Sequence, residues 1–460
     1  MPRLIPTESR SRRRRRAGTI LVIVAMTLGV LVGMVGVVLD AGQLMSAHRQ
    51  CQNAADAGAT AAAMEMLLGQ SNGAAAAAAT TFVQQYNGLG SATVAVNIPP
   101  ATGPHAGSQN YAEVVVDYVV PTRLIQVLGG PTSRTVTARA VAGWEGVNID
   151  SVIIAMDANA RPGIGLNGNG SLQVNGTVVV NSNGGGLTEN GQPINNGNSG
   201  YAINATGNGN LKALDVKSVG GVNDPSMITN YDGSTQSPLH TGAATQSDPF
   251  EFLAPPTTGN GAVATNYGAV KLSGNQSVTL SPGVYNSISA SANSTVTLEP
   301  GIYVIQGGGI SLSGNGTVSG TGVMIYNTGS DYNVNTGLPD SADGSSLPPA
   351  GGNPAFGALS ITGNGSLNLT SYANSASPYD GLLFYQRRLN TQPIDLSGNA
   401  SVDSMQGTVY AKYALINLSG NGTMNTQFAV DSVIFTGNGT LTIDDANQRV
   451  ADSDQVFLVE

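Results

Sequence analysis

The residues best suited to acid–base chemistry lie in the last quarter of the chain. They are Asp380, Arg387, Arg388, Asp395, Asp403 and Lys412. Enzymes that cleave polysaccharides bring carboxylates and basic side chains together at the scissile bond, and on a parallel β-helix they would share one exposed strand face. The spacing of these six residues does not define a common face. We therefore predict no catalytic residues and a non-enzymatic protein, with a polysaccharide-acting β-helix enzyme as the alternative.

Metal and cofactor sites lack their usual ligands in this sequence. His48, His105 and His240 are too far apart along the chain to indicate a zinc site. Calcium-binding nonapeptide repeats would need an Asp in each turn, where this chain has Gly, Ser or Thr. A phosphate-binding Gly-rich loop, an HExxH helix and a nucleophile elbow do not occur. We predict no metal and no cofactor.

A short signature recurs eight times after Ile149. Its copies are LNGNGSL at Leu166, ATGNGNL at Ala205, LSGNQSV at Leu272, LSGNGTV at Leu312, ITGNGSL at Ile361, LSGNASV at Leu396, LSGNGTM at Leu418 and FTGNGTL at Phe435, with a degenerate SANSTV near Asn293. Gly and Asn tolerate positive φ and can turn the chain sharply between strands. The repeat of about 17–22 residues predicts one coil of a parallel β-helix, or β-solenoid, per copy. We expect the Asn side chains to stack from coil to coil.

The fold class predicted for the whole chain is mainly β. Residues 148–460 form the Gly/Asn-rich β-solenoid domain, with loops that leave the stack at about 216–266 and 328–353, where Pro, Ser, Asp and Gly are frequent. Insertions of this kind often bind partners in repeat folds. A segment DPFEFLAPP begins at Asp248 inside the first of them.

Charge is distributed unevenly along the chain. Seven of its nineteen basic residues (Arg3, Arg10 and Arg12 to Arg16) precede Ala17, which leaves 12 basic against 27 acidic residues after it, or −15. A body this acidic repels phosphate backbones, so we expect no nucleic-acid partner. The lone Cys51 excludes an internal disulfide, and a buried apolar role in an Ala-rich helix is expected for it.

An uncharged apolar run at residues 19–39 predicts a transmembrane helix. As a helix it is roughly 30 Å long, the thickness of the hydrocarbon core. The arginines before it and Asp40 after it indicate a cytoplasmic tail at residues 1–18 and an extracytoplasmic main body, in the cytoplasmic (inner) membrane. A signal peptide would have a shorter apolar stretch. Gly29 and Gly33 form a GxxxG motif, a weak indication of helix association.

Residues 40–147 predict a helical segment followed by a small α+β module. The Ala-rich stretch after Asp40 continues the helix, a second short helix follows Gly73, and the runs ATVAVNI, YAEVVVDYVV and RTVTARAVAGW are typical of strands. RLIQVLGG is interpreted as a short helix that a glycine ends. Glu113 and Asp117 are expected to face solvent.

The N-terminal segment resembles TadG-like proteins of the tight-adherence (Flp) pilus assembly system. The resemblance rests on the basic start, the apolar helix that ends in Asp40, and the string from Gln52 to Ala63, with Gly58 in place of the usual Ala. It implies a lipid bilayer around residues 19–39 and other pilus-assembly or envelope proteins as partners. Some relatives of this kind carry a repetitive C-terminal region, which the distal part resembles less specifically.

Two further features of such families are missing from the chain. Many TadG-like proteins carry a von Willebrand A-type domain with a D-x-S-x-S metal motif, but here Asp157 is followed by Ala158, Asn159, Ala160 and Arg161. A processed pilin would carry Glu at the position of Ile23. The expected function is a membrane-anchored structural, assembly or adhesion component. A surface glycan-binding protein and a pilin-like subunit are the alternatives, and surface glycans are a further expected partner class.

Overall fold

The computed structural model describes residues 17–68, 70–147, 149–195, 200–340, 355–397, 405–444 and 453–459. The chain divides into two compact units, Met1–Glu145 with Gln455–Glu460, and Gly146–Asp454. The chain therefore passes between the units twice. The short final segment, Gln455–Glu460, belongs to the first unit, although the sequence predicts one solenoid domain for residues 148–460.

The first unit is built on one long helix, α1, at Ala17–Leu67. Its 51 residues contain no proline, and the apolar half continues without a break into the Ala-rich half. At 1.5 Å per residue the helix is about 76 Å long, far more than a bilayer requires. Among the described residues, α1 is the one helix that is both long enough and apolar enough to cross a membrane. Side chains from Ile20 to Val35 are largely exposed, as a lipid-facing segment requires.

A small antiparallel sheet completes the first unit. Helix α2 at Asn72–Thr81 and a π-helical turn at Phe82–Tyr86 lead into it. Its strands are β1 at Thr93–Asn97, β2 at Tyr111–Pro121, β3 at Ser133–Val147 and the C-terminal β27 at Ser453–Leu458, in the order β1-β2-β3-β27. The 3₁₀ helix Ile125–Leu128 ends at Gly129, which has φ 81°. The predicted helix-plus-sheet module is present.

The second unit is a parallel β-helix. Its strands in chain order are β4 at Ser151–Ala155, β5 at Ile164–Gly168, β6 at Ser171–Val180, β7 at Gly186–Leu187, β8 at Pro193–Ile194, β9 at Ile203–Gly207, β10 at Asn210–Ser218, β11 at Ile228–Asn230, β12 at Leu239–Thr241, β13 at Asn266–Leu272, β14 at Ser277–Leu280, β15 at Gly283–Ala290, β16 at Thr295–Leu298, β17 at Gly301–Gln306, β18 at Ile310–Leu312, β19 at Thr317–Thr328, β20 at Leu359–Ile361, β21 at Ser366–Ser371, β22 at Leu382–Gln386, β23 at Ile394–Leu396, β24 at Gln406–Ser419, β25 at Gly422–Gly437 and β26 at Thr440–Asp444.

The coils are not stacked in simple chain order. The stack starts at β13 and β14, proceeds through β15 to β24, and reaches β25 and β26. There β25 pairs with β4 and β5, and β26 pairs with β6. The stack then ends with β10, β11 and β12. The last coil of the chain thus lies directly beside the first.

Residues 242–265, the return segment, connect the two ends of this stack. They run along the outside of the sheet that contains β4, β17, β22 and the first half of β24, and they cover its outer surface. Phe250 and Ala262 of the return segment are buried in a second apolar cluster, with Tyr326, Tyr385 and Tyr410 of the sheet. This sheet is therefore apolar on both faces, which explains its continuous runs such as LLFYQ.

The two predicted loop insertions differ from the structure. Within 216–266, Ile228–Asn230 and Leu239–Thr241 are strands of the stack, and the return segment is packed against it. In the second insertion, Tyr332, Val334 and Asp340 are buried. The rest of that insertion, 341–353, lies outside the described residues. Polar, Gly-rich composition indicated loops correctly but could not show that their few apolar residues return to the surface of the sheet.

The signature corners have the predicted conformation. The Gly of each described copy has positive φ, for example 67° at Gly274 and Gly314 and 77° at Gly363. The degenerate copy has Ala292 at φ 57°, the one non-glycine residue with positive φ in the described chain. Glycine therefore makes the turn, and the neighbouring Asn is free for another role.

Candidate functional site

Asp40 anchors the connection between β2 and β3 to the end of the apolar helix. Its carboxylate accepts hydrogen bonds from the backbone amides of Arg123 (3.3 Å), Leu124 (2.9 Å) and Ile125 (2.7 Å). These amides begin the 3₁₀ helix, whose first N–H groups have no partner within the helix. The Ile125 amide is the main cause of a lowered pKa for Asp40, because its bond favours the ionised form. The acid that ends the apolar run thus orients the first unit.

The Gln52-to-Ala63 string forms a close-packed helix face. Cys51, Ala54, Ala59 and Ala62 are fully buried in one cluster with α2 and the sheet. A Cβ at Gly58 would come within 2.9 Å of Val83 Cγ2, so the absence of a side chain permits this approach. Small residues here serve packing, and the buried position predicted for Cys51 is confirmed.

Gln52 fixes that helix to the sheet. Its side-chain amide donates to Asp56 Oδ1 at 2.8 Å and to the Arg139 carbonyl at 3.0 Å. The polar residues of the string therefore tie α1 to β3 within the first unit. The Gln52-to-Ala63 string is therefore the face of α1 that packs against the sheet of the same unit.

The five described members of the charged set singled out in the sequence do not form one site. Arg387 is buried and pairs with Asp331 and Asp340, with 2.8 Å between nitrogen and oxygen in each pair. Asp340 also accepts hydrogen bonds from Tyr326 and Thr328. Arg387 therefore holds the loop that follows β19 against the sheet.

Arg388 instead holds the return segment. Its guanidinium donates to the carbonyls of Phe250 (2.6 Å), Glu251 (2.6 Å) and Leu253 (3.3 Å). Its Nε also lies 3.2 Å from the Tyr410 hydroxyl. All three carbonyl bonds leave one terminal nitrogen, Nη2, while Nε contacts the tyrosine hydroxyl, so the two ends of the guanidinium contact the return segment and the sheet. The two adjacent arginines thus fasten two different segments onto one sheet.

The remaining four charged residues are likewise occupied or lie elsewhere. Lys412 is 3.1 Å from Asp248, which also accepts from Tyr410 at 2.9 Å. Asp395 accepts from Asn417 at 2.6 Å, and Asp380 accepts from the Asn374 amide at 2.7 Å. Asp403 lies outside the described residues. The described members bind parts of the chain itself.

At the position of the D-x-S-x-S motif, the polar side chains also form hydrogen bonds with other groups of the same chain. Asp157 Oδ1 accepts from the Asn159 amide at 2.8 Å, and Arg161 donates to the Ala160 carbonyl at 2.9 Å and to Ser182 Oγ at 3.0 Å. A guanidinium beside this loop disfavours a bound cation. Among the described residues, no three His, Cys, Asp or Glu side chains are grouped as metal ligands.

An exposed asparagine ladder follows the signature corners. Asn293 Nδ2 donates to Asn275 Oδ1 (3.1 Å), Asn315 to Asn293 (3.0 Å), and Asn364 to Asn315 (3.4 Å). Asn208 donates to Asn169 in the same way (3.2 Å). The predicted stacking of amides is confirmed for these coils. Each amide satisfies a neighbour, so the corner presents a regular, uncharged polar edge to solvent.

Sequence reasoning missed a buried ion pair in the first unit. Glu113 is 2% exposed, pairs with Arg139, and accepts hydrogen bonds from Asn97 and the Ala101 amide. Burial alone would raise its pKa, but the bonds from Asn97, Arg139 and Ala101 outweigh burial and lower it to about 2. The expectation that Glu113 faces solvent was wrong. Arg139 of β3 lies opposite Val115, two residues from Val141, the residue opposite Glu113, so the pair is diagonal and depends on the strand register.

These observations define a class of protein: a helix able to cross a membrane joined to a small α+β unit and a parallel β-helix. Residues 18–65 match a family model described as "Tad: Putative Flp pilus-assembly TadE/G-like". The match covers α1 from its apolar part through the Gln52-to-Ala63 string and links this segment to Flp pilus assembly. No curated protein and no solved structure matches the chain.

Proposed function

We propose that the protein is a non-enzymatic, membrane-anchored structural component of an Flp pilus-type surface system. The observation that carries this proposal is the family match over the very helix that Asp40 and Gln52 tie to the first unit. That helix is long enough to span the bilayer and to extend well beyond it. In this proposal the β-helix lies outside the cytoplasmic membrane.

The internal use of the charged residues supports a non-enzymatic role. Arg387, Arg388 and Lys412 are engaged with Asp331, Asp340, Asp248 and backbone carbonyls of the same domain. A polysaccharide-cleaving enzyme needs such groups directed at substrate in an open cleft. The test is incubation of the purified chain with envelope polysaccharides. Turnover that Asp395→Ala abolishes would contradict the proposal.

Topology is tested by labelling intact cells. Cys51 is buried, so an added cysteine at exposed Thr336 would be the reactive thiol among the described residues. We expect Thr336→Cys to react with a membrane-impermeant maleimide once the outer layers are opened, while the cytoplasmic membrane stays sealed. Labelling only after that membrane is lysed would place the β-helix in the cytosol and contradict the proposal.

The role in the surface system is tested by exchanging the chromosomal copy for variants. Removing residues 146–454 would leave the family-matching helix but remove the β-helix. We expect reduced attachment of cells to surfaces, with pili counted separately by electron microscopy. Normal pili and normal attachment both in this variant and in a full deletion would refute a role in the system.

A glycan-binding role for the same protein is the second candidate, and the asparagine ladder favours it. Side-chain amides and hydroxyls are the groups that hydrogen-bond sugar hydroxyls, and they repeat here along an exposed edge. We expect Asn315→Ala to weaken binding of the chain to surface polysaccharide, and Asn286→Ala, an exposed asparagine outside the ladder, to leave it unchanged. Equal binding by both variants would remove this candidate.

A further inference from the structure

The two ends of the β-helix stack are finished differently. At the end formed by β10, β11 and β12, the inward side chains Val216, Val222, Ile228 and Leu239 are all buried. Chain segments after β10 therefore close this end of the core. A β-helix needs such a cap, because its terminal coil otherwise leaves core side chains and strand edges in water.

The other end, formed by β13 and β14, leaves its core open. Val270, Leu272 and Val278 point inward but are only partly buried. Their neighbours one coil further in, Ile288 and Val296, are 1% and 0% exposed. Tyr267, which stacks on Tyr285 at 5.1 Å, is 47% exposed. Along β13, exposed residues therefore alternate with partly buried ones, as expected for a strand that has a neighbouring coil on one side only.

The outer edges of the strands at this open end also lack a paired strand among the described residues. β13 pairs with β15 and β14 pairs with β16, and no described strand pairs with their outer edges. Proteins usually protect such an edge with charges or proline. Asn266–Leu280 contains no proline and one charge, Lys271, whose side chain points outward. Apart from a register shift at Gly268, the edge is open for pairing.

We propose that the open end docks onto the open end of a second copy of this chain. The surface to be covered is a coil end, with strand edges around an apolar centre, and the matching described surface is the same coil end on another copy. A two-fold axis across the end would pair β13 with its own copy in the antiparallel sense, burying Val270, Leu272 and Val278 of both chains. Because Lys271 points outward, no charge would be buried at the centre.

The test is the mass of the full-length chain in detergent, measured by light scattering over a dilution series. We expect a dimer that Val270→Lys weakens about tenfold or more, because the new ammonium would enter the apolar centre. Val270 is already partly exposed, so the folded chain accommodates the change, and thermal unfolding checks this. Val278→Lys, on the neighbouring strand, is expected to have the same effect.

Two matched variants separate this contact from others. Thr229→Lys adds the same charge to exposed Thr229 at the closed end and should leave the dimer intact. Gly33→Leu alters the small-residue face of the apolar helix and should also leave it intact. A monomeric wild type, a dimer that neither Val270→Lys nor Val278→Lys weakens, or loss of the dimer in Gly33→Leu alone would overturn the proposal.

Discussion

At the scale of single residues, the side chains that look reactive in the sequence are mostly used to hold the fold together. Asp40 binds three amides, Glu113 binds a guanidinium and an amide, and Arg388 binds three carbonyls. Each charge is compensated within the chain, as buried charges must be. The residue types were therefore informative, but about folding more than about chemistry.

The Glu113 pair predicts an acid-dependent loss of stability in the first unit. The pKa of Glu113 is about 2 in the folded chain against 4.5 in the unfolded chain, so the unfolded state binds the proton more tightly. The stabilisation, on the order of 3 kcal/mol, is fully present above about pH 4.5 and is lost as the pH falls toward 2. Fluorescence of Trp144, the single tryptophan, reports unfolding of this unit. Glu113→Gln should flatten the dependence; an unchanged slope would contradict the assignment.

Ala292 predicts a stabilising substitution. It has φ 57° at a corner where other copies have glycine, and an L-residue there costs roughly 1–2 kcal/mol. Ala292→Gly should therefore stabilise the β-helix by about 0.5–1 kcal/mol after the entropy cost of glycine. Gly314→Ala is the reciprocal control and should destabilise it. Denaturant midpoints followed by the circular dichroism of the strands give both signs; a lower midpoint for Ala292→Gly would refute the explanation.

At the scale of elements, the return segment decides how the β-helix is covered. Two tyrosine hydroxyls donate to its carbonyls: Tyr385 of β22 to Leu253 at 3.0 Å, and Tyr379, in the turn before β22, to Ala254 at 3.1 Å. Burial of its ring raises the pKa of Tyr379 far above the usual value, so the Tyr379 hydroxyl remains a hydrogen-bond donor. Backbone carbonyls make many of the contacts that hold the segment, and side chains such as Asp248 and Phe250 add to them.

Arg388→Met is expected to loosen the return segment. The substitution keeps the apolar stem but leaves the carbonyls of Phe250, Glu251 and Leu253 without their donor, at a cost of about 3 kcal/mol. Limited proteolysis should then cut within residues 242–265. Lys271→Met, which removes an exposed charge, is the control, and Arg388→Lys should recover little. Equal protease resistance of Arg388→Met and wild type would exclude this fastening role.

At the scale of the whole molecule, the first and last coils of the β-helix are neighbours within the stack. β25 pairs with β4 and β5, although more than 250 residues separate them in the chain. The buried Gln427 reinforces this contact, because its amide donates to the carbonyls of Ile149 (3.0 Å) and Ser151 (2.9 Å). The chain enters and leaves this unit in adjacent coils. This contact can therefore form only after nearly all of residues 146–454 are present.

Gln427→Leu should therefore destabilise the β-helix as a whole. The nearly equal side-chain volume preserves packing, while two buried carbonyls lose their donor, at about 2 kcal/mol. We expect a lower denaturant midpoint in circular dichroism, with one transition for the β-helix. Gln276→Leu, at an exposed corner where the amide oxygen accepts from Ser273, should change the midpoint little. If the two variants lose equal stability, the contact between first and last coils is not a stabilising junction.

The sequence by itself determined the local elements of this protein. Apolar length predicted the part of α1 that is long and apolar enough to cross a membrane. The recurring Gly-Asn corners predicted a parallel β-helix with stacked amides, because turn conformation and strand period are encoded within a few residues. The Gln52-to-Ala63 string was also sufficient to indicate the family that matches residues 18–65.

Only the tertiary structure decided which coils are neighbours and where the charges are used. The pairing of β25 with β4, the path of residues 242–265 and the pairing of Glu113 with Arg139 join distant positions. Repeats that resemble one another can stack in several orders, and local composition does not distinguish them. The choice depends on burying the apolar face of the central sheet and on compensating buried charges, which are properties of the complete fold.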